Sequence, residues 1–339
     1  MEEAQLPSTF FVSVPTGGDR RSQERVESVL VLVAPGQGAQ KPGFLSPWLE
    51  LPGVADRLRQ WSDAIGLDLV HYGTEADAEE IRDTAVAQPL LVASALISAE
   101  ALLDGGAPAE RLGATAGHSV GELAAAALAG VFPAETALRL VRRRGAAMAD
   151  AAAVTETGMS AVLGGDPEEV TAHLDKLGLT PANRNGGGQI VAAGTAEQLA
   201  ALAEEKPEKA RVMPLKVAGA FHTQHMEPAV ATMAQAATEV EPLDPTLPYV
   251  SNLEGSVVDS GEEVLRRLVN QISAPVRWDL CMETFAELGA DAMVEVCPGG
   301  TLTGLAKRGL PGVRTAALKT PDDLDAARQL LAESAPSGE

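Results

Sequence analysis

The chain has 339 residues, which is enough for a sizeable hydrophobic core. Hydrophobic residues make up 45% of it and aromatic residues only 3%, so the core must consist mainly of Ala, Val and Leu. The formal net charge of −21 disfavours nucleic acid and anionic membranes as partners. The two cysteines, Cys281 and Cys297, provide neither a disulfide framework nor zinc-type Cys/His spacing. We therefore expect a cytoplasmic protein without a metal site.

The two ends of the chain differ from the rest. Residues 1–28 lack the positive start and long apolar core of a signal peptide, and we expect a disordered extension there. The polar end suggests a frayed tail over residues 331–339. Between them no apolar run approaches the length of a membrane-spanning helix, so no membrane contact is expected.

Strand and helix patterns alternate along residues 29–150 and again along residues 217–330. The valine-rich run at 29–34 is typical of a buried parallel strand, and a glycine-containing loop follows it at 35–40. This alternation predicts one large α/β subdomain with a parallel sheet. Its other predicted helices are residues 88–103, 134–150 and 261–271, and its other predicted strands are residues 249–252 and 292–296.

A different pattern occupies residues 151–216, between the two halves of the large subdomain. It predicts strands at 159–163, 180–185, 189–194 and 210–216, with helices at 166–177 and 195–205. The order β-α-β-β-α-β is typical of a ferredoxin-like unit. We therefore predict a small inserted subdomain of that kind.

The motif Gly117-His118-Ser119-Val120-Gly121 stands between an apolar stretch and an alanine-rich helical run. This is the strand–turn–helix setting of a nucleophile elbow, in which glycines allow a turn that side chains would crowd. Ser119 would lie at the tip, and the following helix N-terminus would favour negative charge on a substrate oxygen. The pattern indicates acyl transfer through a serine ester, although a structural turn capped by Ser119 would give the same five letters.

A serine nucleophile needs a base, and His222 is the candidate because a loop of small residues leads into it. A polar loop residue is the alternative for His222 alone. His71 and His173 fit surface positions, His118 should point away from its neighbour Ser119, and His225 has no motif support. Acids between Ser119 and His222 fall mostly on helices of the small subdomain, which argues against an ordinary esterase.

Three arginines follow one another on the helix predicted at 134–150. Arg142 and Arg143 fit a solvated basic face. Arg144 precedes Gly145 and further apolar residues, so it could face inward as a buried cation that needs a carboxylate.

Together these features resemble the bacterial malonyl-CoA:acyl carrier protein transacylases of type II fatty-acid and polyketide synthesis. The resemblance runs from about residue 29 to residue 330, and several ordered motifs are far more specific than one. The matching segments are residues 35–40, 87–89, 117–122, 144–148, 183–185, 219–223, 271–278 and 296–302. It implies an α/β-hydrolase-like large subdomain beside the small ferredoxin-like one.

The resemblance also implies roles for individual residues. Ser119 is the expected nucleophile and His222 the expected base, while the main-chain carbonyl of Gln271 replaces the usual acid. The backbone N–H groups of Gln37 and Val120 are the expected oxyanion hole. The remaining expected site residues contact the substrate: Arg144 pairs with the malonyl carboxylate, Gln88 lies near it, Met148 and Asn185 are pocket residues, and Phe221 disfavours a methyl branch.

The implied reaction moves malonyl from malonyl-CoA to the phosphopantetheine thiol of an acyl carrier protein, without a cofactor and with a monomeric enzyme. Two rivals remain: a serine hydrolase such as a thioesterase, and a non-enzymatic subunit that binds acyl carriers. A domain of a multidomain synthase is disfavoured because long linkers are lacking.

Carrier docking would need a local basic patch, since carrier proteins of this kind are acidic. The candidates are Arg142, Arg143, Arg184, Arg277, Lys307 and Arg308.

Overall fold

The computed structural model describes residues 29–334. The predictions for residues 1–28 and 335–339 lie outside these described residues. The strands are β1 Val29–Ala34, β2 Ala114–Gly117, β3 Thr157–Gly164, β4 Thr180–Gly186, β5 Gln189–Thr195, β6 Ala210–Pro214, β7 Tyr249–Val250, β8 Val257–Val258, β9 Val276–Arg277, β10 Ala290–Glu295 and β11 Arg314–Ala317.

The α-helices are α1 Val54–Ile65, α2 Leu69–Thr74, α3 Thr84–Leu103, α4 Pro108–Arg111, α5 Gly121–Leu128, α6 Ala134–Ala152, α7 Pro167–Lys176, α8 Ala196–Glu204, α9 Glu227–Ala237, α10 Gly261–Asn270, α11 Trp278–Glu287, α12 Thr301–Gly309 and α13 Leu324–Ser334. Short 3-10 helices lie at Ser46–Glu50, Glu80–Arg82, Gln224–Met226 and Pro321–Asp323. The α/β class predicted from the alternating pattern is confirmed.

The larger sheet has the strand order β11-β10-β1-β2-β7-β8. Its strands run parallel except for β8, which pairs antiparallel with β7. Strand β1 lies in the middle, and Leu30 to Ala34 are all buried, as a valine-rich run predicts. Ala34 pairs with Gly117, so β1 and β2 end at the same edge of the sheet. The loop at 35–40 and the Ser119 turn therefore start side by side.

Helix α3 is buried on almost every side, and it corrects one expectation. Its 20 residues are long and apolar enough to cross a membrane, although the sequence was expected to contain no such run. Within the described residues 89% of its most apolar window is buried, which fits a core helix. Pro89 lies inside α3 and has no N–H for the Ala85 carbonyl; Arg142 donates to that carbonyl instead, at 3.1 Å. Arg142 is thus a partner of the helix backbone, and the expected solvated face is wrong for it.

The smaller sheet has the order β6-β3-β5-β4-β9. Its first four strands pair antiparallel and enclose a separate core around Val162, Leu174 and Leu202. They occur in the chain order expected of a ferredoxin-like unit. The fifth strand, β9, comes from the segment assigned to the large subdomain and pairs parallel with β4. The small sheet is therefore not built from residues 151–216 alone.

Two element ends also differ from expectation. Helix α13 continues to Ser334 because Leu331 is buried in the main core, so residues 331–334 do not form a frayed tail. Strand β7 ends at Val250, and Ser251 and Asn252 leave the ladder. The backbone N–H of Asn252 donates to the Glu122 carboxylate at 2.8 Å instead of to a neighbouring strand.

Candidate active site

The Ser119 turn has the close packing expected of a nucleophile elbow. A Cβ atom at Gly117 would collide with the Gly121 backbone, and one at Gly121 would collide with the Ala34 carbonyl. Ser119 itself has φ = 53°, a left-handed conformation that non-glycine residues adopt rarely. Its N–H donates to Asn252 Oδ1 at 2.8 Å, and α5 begins two residues later. The strained serine is therefore held from both sides.

Ser119, His222 and the Gln271 carbonyl form one hydrogen-bonded chain. Ser119 Oγ lies 2.7 Å from His222 Nε2, and His222 Nδ1 lies 2.8 Å from the Gln271 carbonyl oxygen. A carbonyl can only accept, so Nδ1 carries the proton and Nε2 offers its lone pair to the serine hydroxyl. Burial and the positive charge of Arg144 lower the pKa of His222 to about 3. The imidazole is thus neutral at pH 7 and ready to accept a proton.

Arg144 lies fully buried beside the nucleophile, with a relative exposure of 1%. Its Nη1 donates to Gln88 Oε1 at 2.6 Å, its Nη2 donates to Gln271 Oε1 at 2.8 Å, and the same Nη2 lies 3.4 Å from Ser119 Oγ. Burial lowers the pKa of Arg144 to about 10, while the charge of Glu122 opposes that shift. The guanidinium therefore remains a cation at neutral pH, within reach of a group bonded to Ser119.

The cleft in front of Ser119 has a volume of about 220 Å³ and lies between the two sheets. Gln37, Asn185 and Phe221 line it, as expected of site residues, and so does His118. Among the described residues, the main-chain N–H groups of Gln37 and Val120 donate no hydrogen bond to the protein. Both are therefore free to serve a substrate oxygen.

Two sequence expectations change at the cleft. His118 does not point away from the site: its Nε2 lies 2.9 Å from Asn185 Oδ1, and the ring lines the cleft. Burial lowers the pKa of His118, so the ring is neutral. Met148 is absent from the cleft wall and instead accepts from Gln88 Nε2 at 3.4 Å through its sulfur. Met148 thus positions the partner of Arg144.

Two residues of the cluster were given no role from the sequence. Asn252 links the two sides of the turn, because Oδ1 accepts from Ser119 N–H and Nδ2 donates to the Gly117 carbonyl at 2.7 Å. Glu122 is buried and touches the side chains of Tyr249 and Gln271. Its position one residue after the Gly-x-Ser-x-Gly motif was the available signal, but a carboxylate in that position also fits the first turn of a solvated helix.

Comparison with known protein families identifies the family of this chain. The family model described as "Acyl transferase domain" matches residues 31–323. The chain belongs to this acyl transferase family. The resemblance inferred from the ordered motifs is thereby confirmed.

Two relatives of this chain share the same name. It is 52% identical over 297 residues to the "Malonyl CoA-acyl carrier protein transacylase" of Mycobacterium bovis, covering 88% of this chain and 98% of that protein. It is 32% identical over 305 residues to the Escherichia coli protein of the same name, with 88% and 98% covered.

Solved structures agree with the fold described above. The crystal structure of MCAT from Mycobacterium tuberculosis superposes with a TM-score of 0.84 at 51% identity, covering 88% of this chain and 99% of that one. PlMCAT, described as a malonyl-transacylase in complex with the type II PKS acyl-carrier protein AntF, superposes with a TM-score of 0.82 at 31% identity, with 89% and 99% covered.

Proposed function

We propose that this protein transfers a malonyl group from malonyl-CoA to the phosphopantetheine thiol of an acyl carrier protein, through an ester on Ser119. One observation carries the proposal: the serine hydroxyl, the neutral His222 and the buried Arg144 converge, with Arg144 Nη2 3.4 Å from Ser119 Oγ. A diacid thioester is the acyl group whose two ends match this pair, because its carbonyl needs the nucleophile and its free carboxylate needs the guanidinium.

In the first half-reaction, His222 Nε2 takes the proton of the serine hydroxyl while Oγ attacks the thioester carbonyl carbon. The N–H groups of Gln37 and Val120 stabilise the tetrahedral oxyanion. The carbon–sulfur bond then breaks, His222 returns the proton to the departing CoA thiolate, and malonyl remains on Ser119. In the second half-reaction, the carrier thiol gives its proton to His222 while its sulfur attacks the ester carbonyl carbon. The bond from that carbon to Oγ then breaks, His222 returns the proton to Oγ, and malonyl remains on the carrier as a thioester.

Arg144 connects substrate binding to the strength of the base. Its positive charge is the second contribution, after burial, to the low pKa of His222. A malonyl carboxylate bound to the guanidinium offsets that charge, so the pKa of His222 rises when the right substrate is present. An acetyl group leaves the charge in place, and the base stays weak.

The same arginine selects the acyl group. Two parallel charge-assisted hydrogen bonds can join a guanidinium to a carboxylate, whereas acetyl leaves those donors without an acceptor in a buried site. Phe221 lines the cleft and is 6% exposed. By resemblance we place it near the α-carbon of the acyl group, where it disfavours a methyl branch.

The hydrolase alternative is weakened by the partner of His222. A hydrolase triad predicts a carboxylate on Nδ1, but that nitrogen lies 2.8 Å from the Gln271 carbonyl oxygen. The carboxylate in the cluster, Glu122, contacts the side chain of Gln271 and not the imidazole. A neutral acceptor stabilises the imidazolium less than a carboxylate does, which limits activation of water.

The candidate docking residues differ in their partners within the chain. Arg143 pairs with Glu239 at 3.3 Å and Arg277 with Asp279 at 2.9 Å, while Arg142 donates to the Ala85 carbonyl. Among the described residues, the other three candidates form no ion pair, and we propose them for carrier docking: Arg184, Lys307 and Arg308. We further propose a cytoplasmic monomer that needs no cofactor.

Intact-mass measurement tests the proposed function. On incubation with malonyl-CoA, the wild-type protein should gain one malonyl group and lose it when carrier protein carrying phosphopantetheine is added. Ser119→Ala should gain nothing. Rapid release of free malonate without carrier would support the hydrolase instead, and labelling of Ser119→Ala would refute the nucleophile.

A further inference from the structure

A carboxylate buried behind the catalytic cluster has no part in the steps above. Glu122 is 1% exposed and lies in the first turn of α5, three residues after Ser119. Its Oε1 accepts from the Tyr249 hydroxyl at 2.9 Å and from the Asn252 N–H at 2.8 Å, and its Oε2 accepts from Gln271 Nε2. All three partners act as donors, which is the arrangement that an ionised carboxylate requires.

Glu122 determines which way the Gln271 amide points. Gln271 Nε2 faces three acceptors: the Glu122 carboxylate, the Ser119 carbonyl at 2.9 Å and Asn252 Oδ1 at 3.4 Å. Gln271 Oε1 consequently faces Arg144 Nη2 and accepts from it at 2.8 Å. If the amide turned over, its oxygen would face acceptors and its nitrogen would face a guanidinium donor. Glu122 therefore fixes the orientation of the Gln271 amide, whose oxygen accepts from Arg144.

We propose that Glu122 is a positioning residue of this site, whose ionised carboxylate acts through the Gln271 side chain to hold Arg144 oriented for the carboxylate of the acyl group. The inference rests on the proposed function and adds a residue to it. Glu122 does not touch the substrate site directly; Gln271 lies between them.

The intervening amide matters for substrate binding. Within the described residues no direct ion pair joins Glu122 to Arg144, yet the carboxylate charge favours the charged form of the arginine. A direct ion pair would occupy the donors that the substrate carboxylate needs. With the countercharge one residue away, the buried cation is stabilised while its guanidinium remains available.

Several charged or titratable groups surround Glu122, and they bear on its protonation. Burial raises the pKa of Glu122 to about 7, while the hydrogen bonds from Asn252, Tyr249, Gln271 and Ser251 oppose the shift. Its charge acts on Arg144 of α6, Tyr249 of β7 and Cys281 of α11. Arg267 of α10 acts on Tyr249 in turn, and at the cleft His118 acts on His222. Burial raises the pKa of Tyr249 and of Cys281, and Arg144 stays charged, so none of these three changes charge near pH 7.

The first test is Glu122→Gln, assayed with malonyl-CoA and acetyl-CoA by rate of serine acylation. The new amide nitrogen would face Gln271 Nε2, so two donors meet and the Gln271 amide must turn or move. We expect kcat/KM for malonyl-CoA to fall about tenfold or more, mainly through KM, because buried hydrogen-bonding groups lose partners. Acetyl-CoA, which makes no use of Arg144, should change much less.

A matched control is Glu295→Gln. Glu295 is also fully buried and accepts hydrogen bonds from Gly300, Leu302 and Thr303 at the start of α12, away from Arg144. This variant should lose stability but keep the wild-type ratio of malonyl to acetyl activity. If Glu122→Gln keeps that ratio as well, the inference is overturned.

The pH profile provides a readout that does not require Glu122→Gln to fold well. In the wild type, kcat/KM for malonyl-CoA should fall as the pH drops through about 7, since protonated Glu122 places an O–H donor among the donors around it and becomes a weaker, neutral acceptor for Gln271. Tyr249→Phe removes one donor to the Glu122 carboxylate, which raises the pKa of Glu122. The fall of kcat/KM towards acid should therefore occur at higher pH in this variant. If the pH at which kcat/KM falls is the same in Tyr249→Phe as in the wild type, the inference is overturned. Wild-type malonylation of Ser119 in the same assays would show that the proposed function stands even then.

Discussion

Replacement of Arg144 by alanine tests the central electrostatic claim. The guanidinium is 1% exposed, so the substrate carboxylate that pairs with it is removed from water and depends on that partner. Breaking one side of such a buried pair costs about 3–5 kcal/mol. If this pairing persists in the transition state, kcat/KM for malonyl-CoA should fall roughly 150- to 5,000-fold. Acetyl-CoA should lose far less, because it offers the arginine no charge.

The assay is the rate of Ser119 acylation under single-turnover conditions, measured for both thioesters at several concentrations. Arg143→Ala is a suitable control, since it removes the neighbouring arginine, whose partner is the exposed Glu239. The control should keep the malonyl preference. An Arg144→Ala protein that still discriminates malonyl from acetyl as the wild type does would refute the assignment of Arg144 to the carboxylate.

Three further predictions address the elbow, its support and the linked titrations. Gly121→Ala should destabilise the fold by about 1–3 kcal/mol because its Cβ would collide with the Ala34 carbonyl, whereas Gly304→Ala in α12, with no atom within 4 Å of the new Cβ, should be neutral or stabilising in thermal unfolding. Asn252→Ala should slow acylation with malonyl-CoA and acetyl-CoA alike, since it loosens the Ser119 backbone rather than Arg144; a selective loss with one thioester would contradict this. The third concerns the pH dependence of the free energy of unfolding. The lowered pKa of His222 makes the folded state less stable as the pH drops below 6.5, the ordinary pKa of histidine. The raised pKa of Glu122 makes the folded state less stable as the pH rises from 4.5 through about 7. The two effects oppose each other between pH 4.5 and 6.5, so urea unfolding of Glu122→Gln should show a steeper loss towards acid than the wild type does.

Local sequence signals were sufficient for the elements that carry the nucleophile. The apolar run at 29–34 and the Gly-x-Ser-x-Gly motif predicted two buried strands and a turn, because burial on both faces and close backbone approach each demand specific residue types. Contacts between distant segments were harder to predict. The family resemblance indicated the contact of the Gln271 carbonyl with His222, but the contact of the Gln271 side chain with Arg144 depends on how α10 packs against the elbow, and no local pattern indicates it.

The environments of charged side chains were also hard to predict from the sequence. Arg142 and Arg144 are two positions apart on one helix, yet Arg142 donates to the carbonyl left free by Pro89 while Arg144 enters the active site. Glu122 reads as an ordinary residue in the first turn of a helix, and its burial becomes visible only when Tyr249 and Asn252 are packed against it. The sequence gives the charge of each side chain, but its partners depend on the packing of distant elements.

The pairing of β9 with β4 joins the small sheet to the segment that supports the base. Val276 pairs with Asn183, which lines the cleft, and the same short stretch of chain begins at Gln271, whose carbonyl holds the imidazole. A rotation of the small sheet that widened the cleft would therefore also displace the chain that carries the Gln271 carbonyl, which sets the tautomer of His222. Strand β9 thus connects a wall of the cleft to the residue whose carbonyl orients the base.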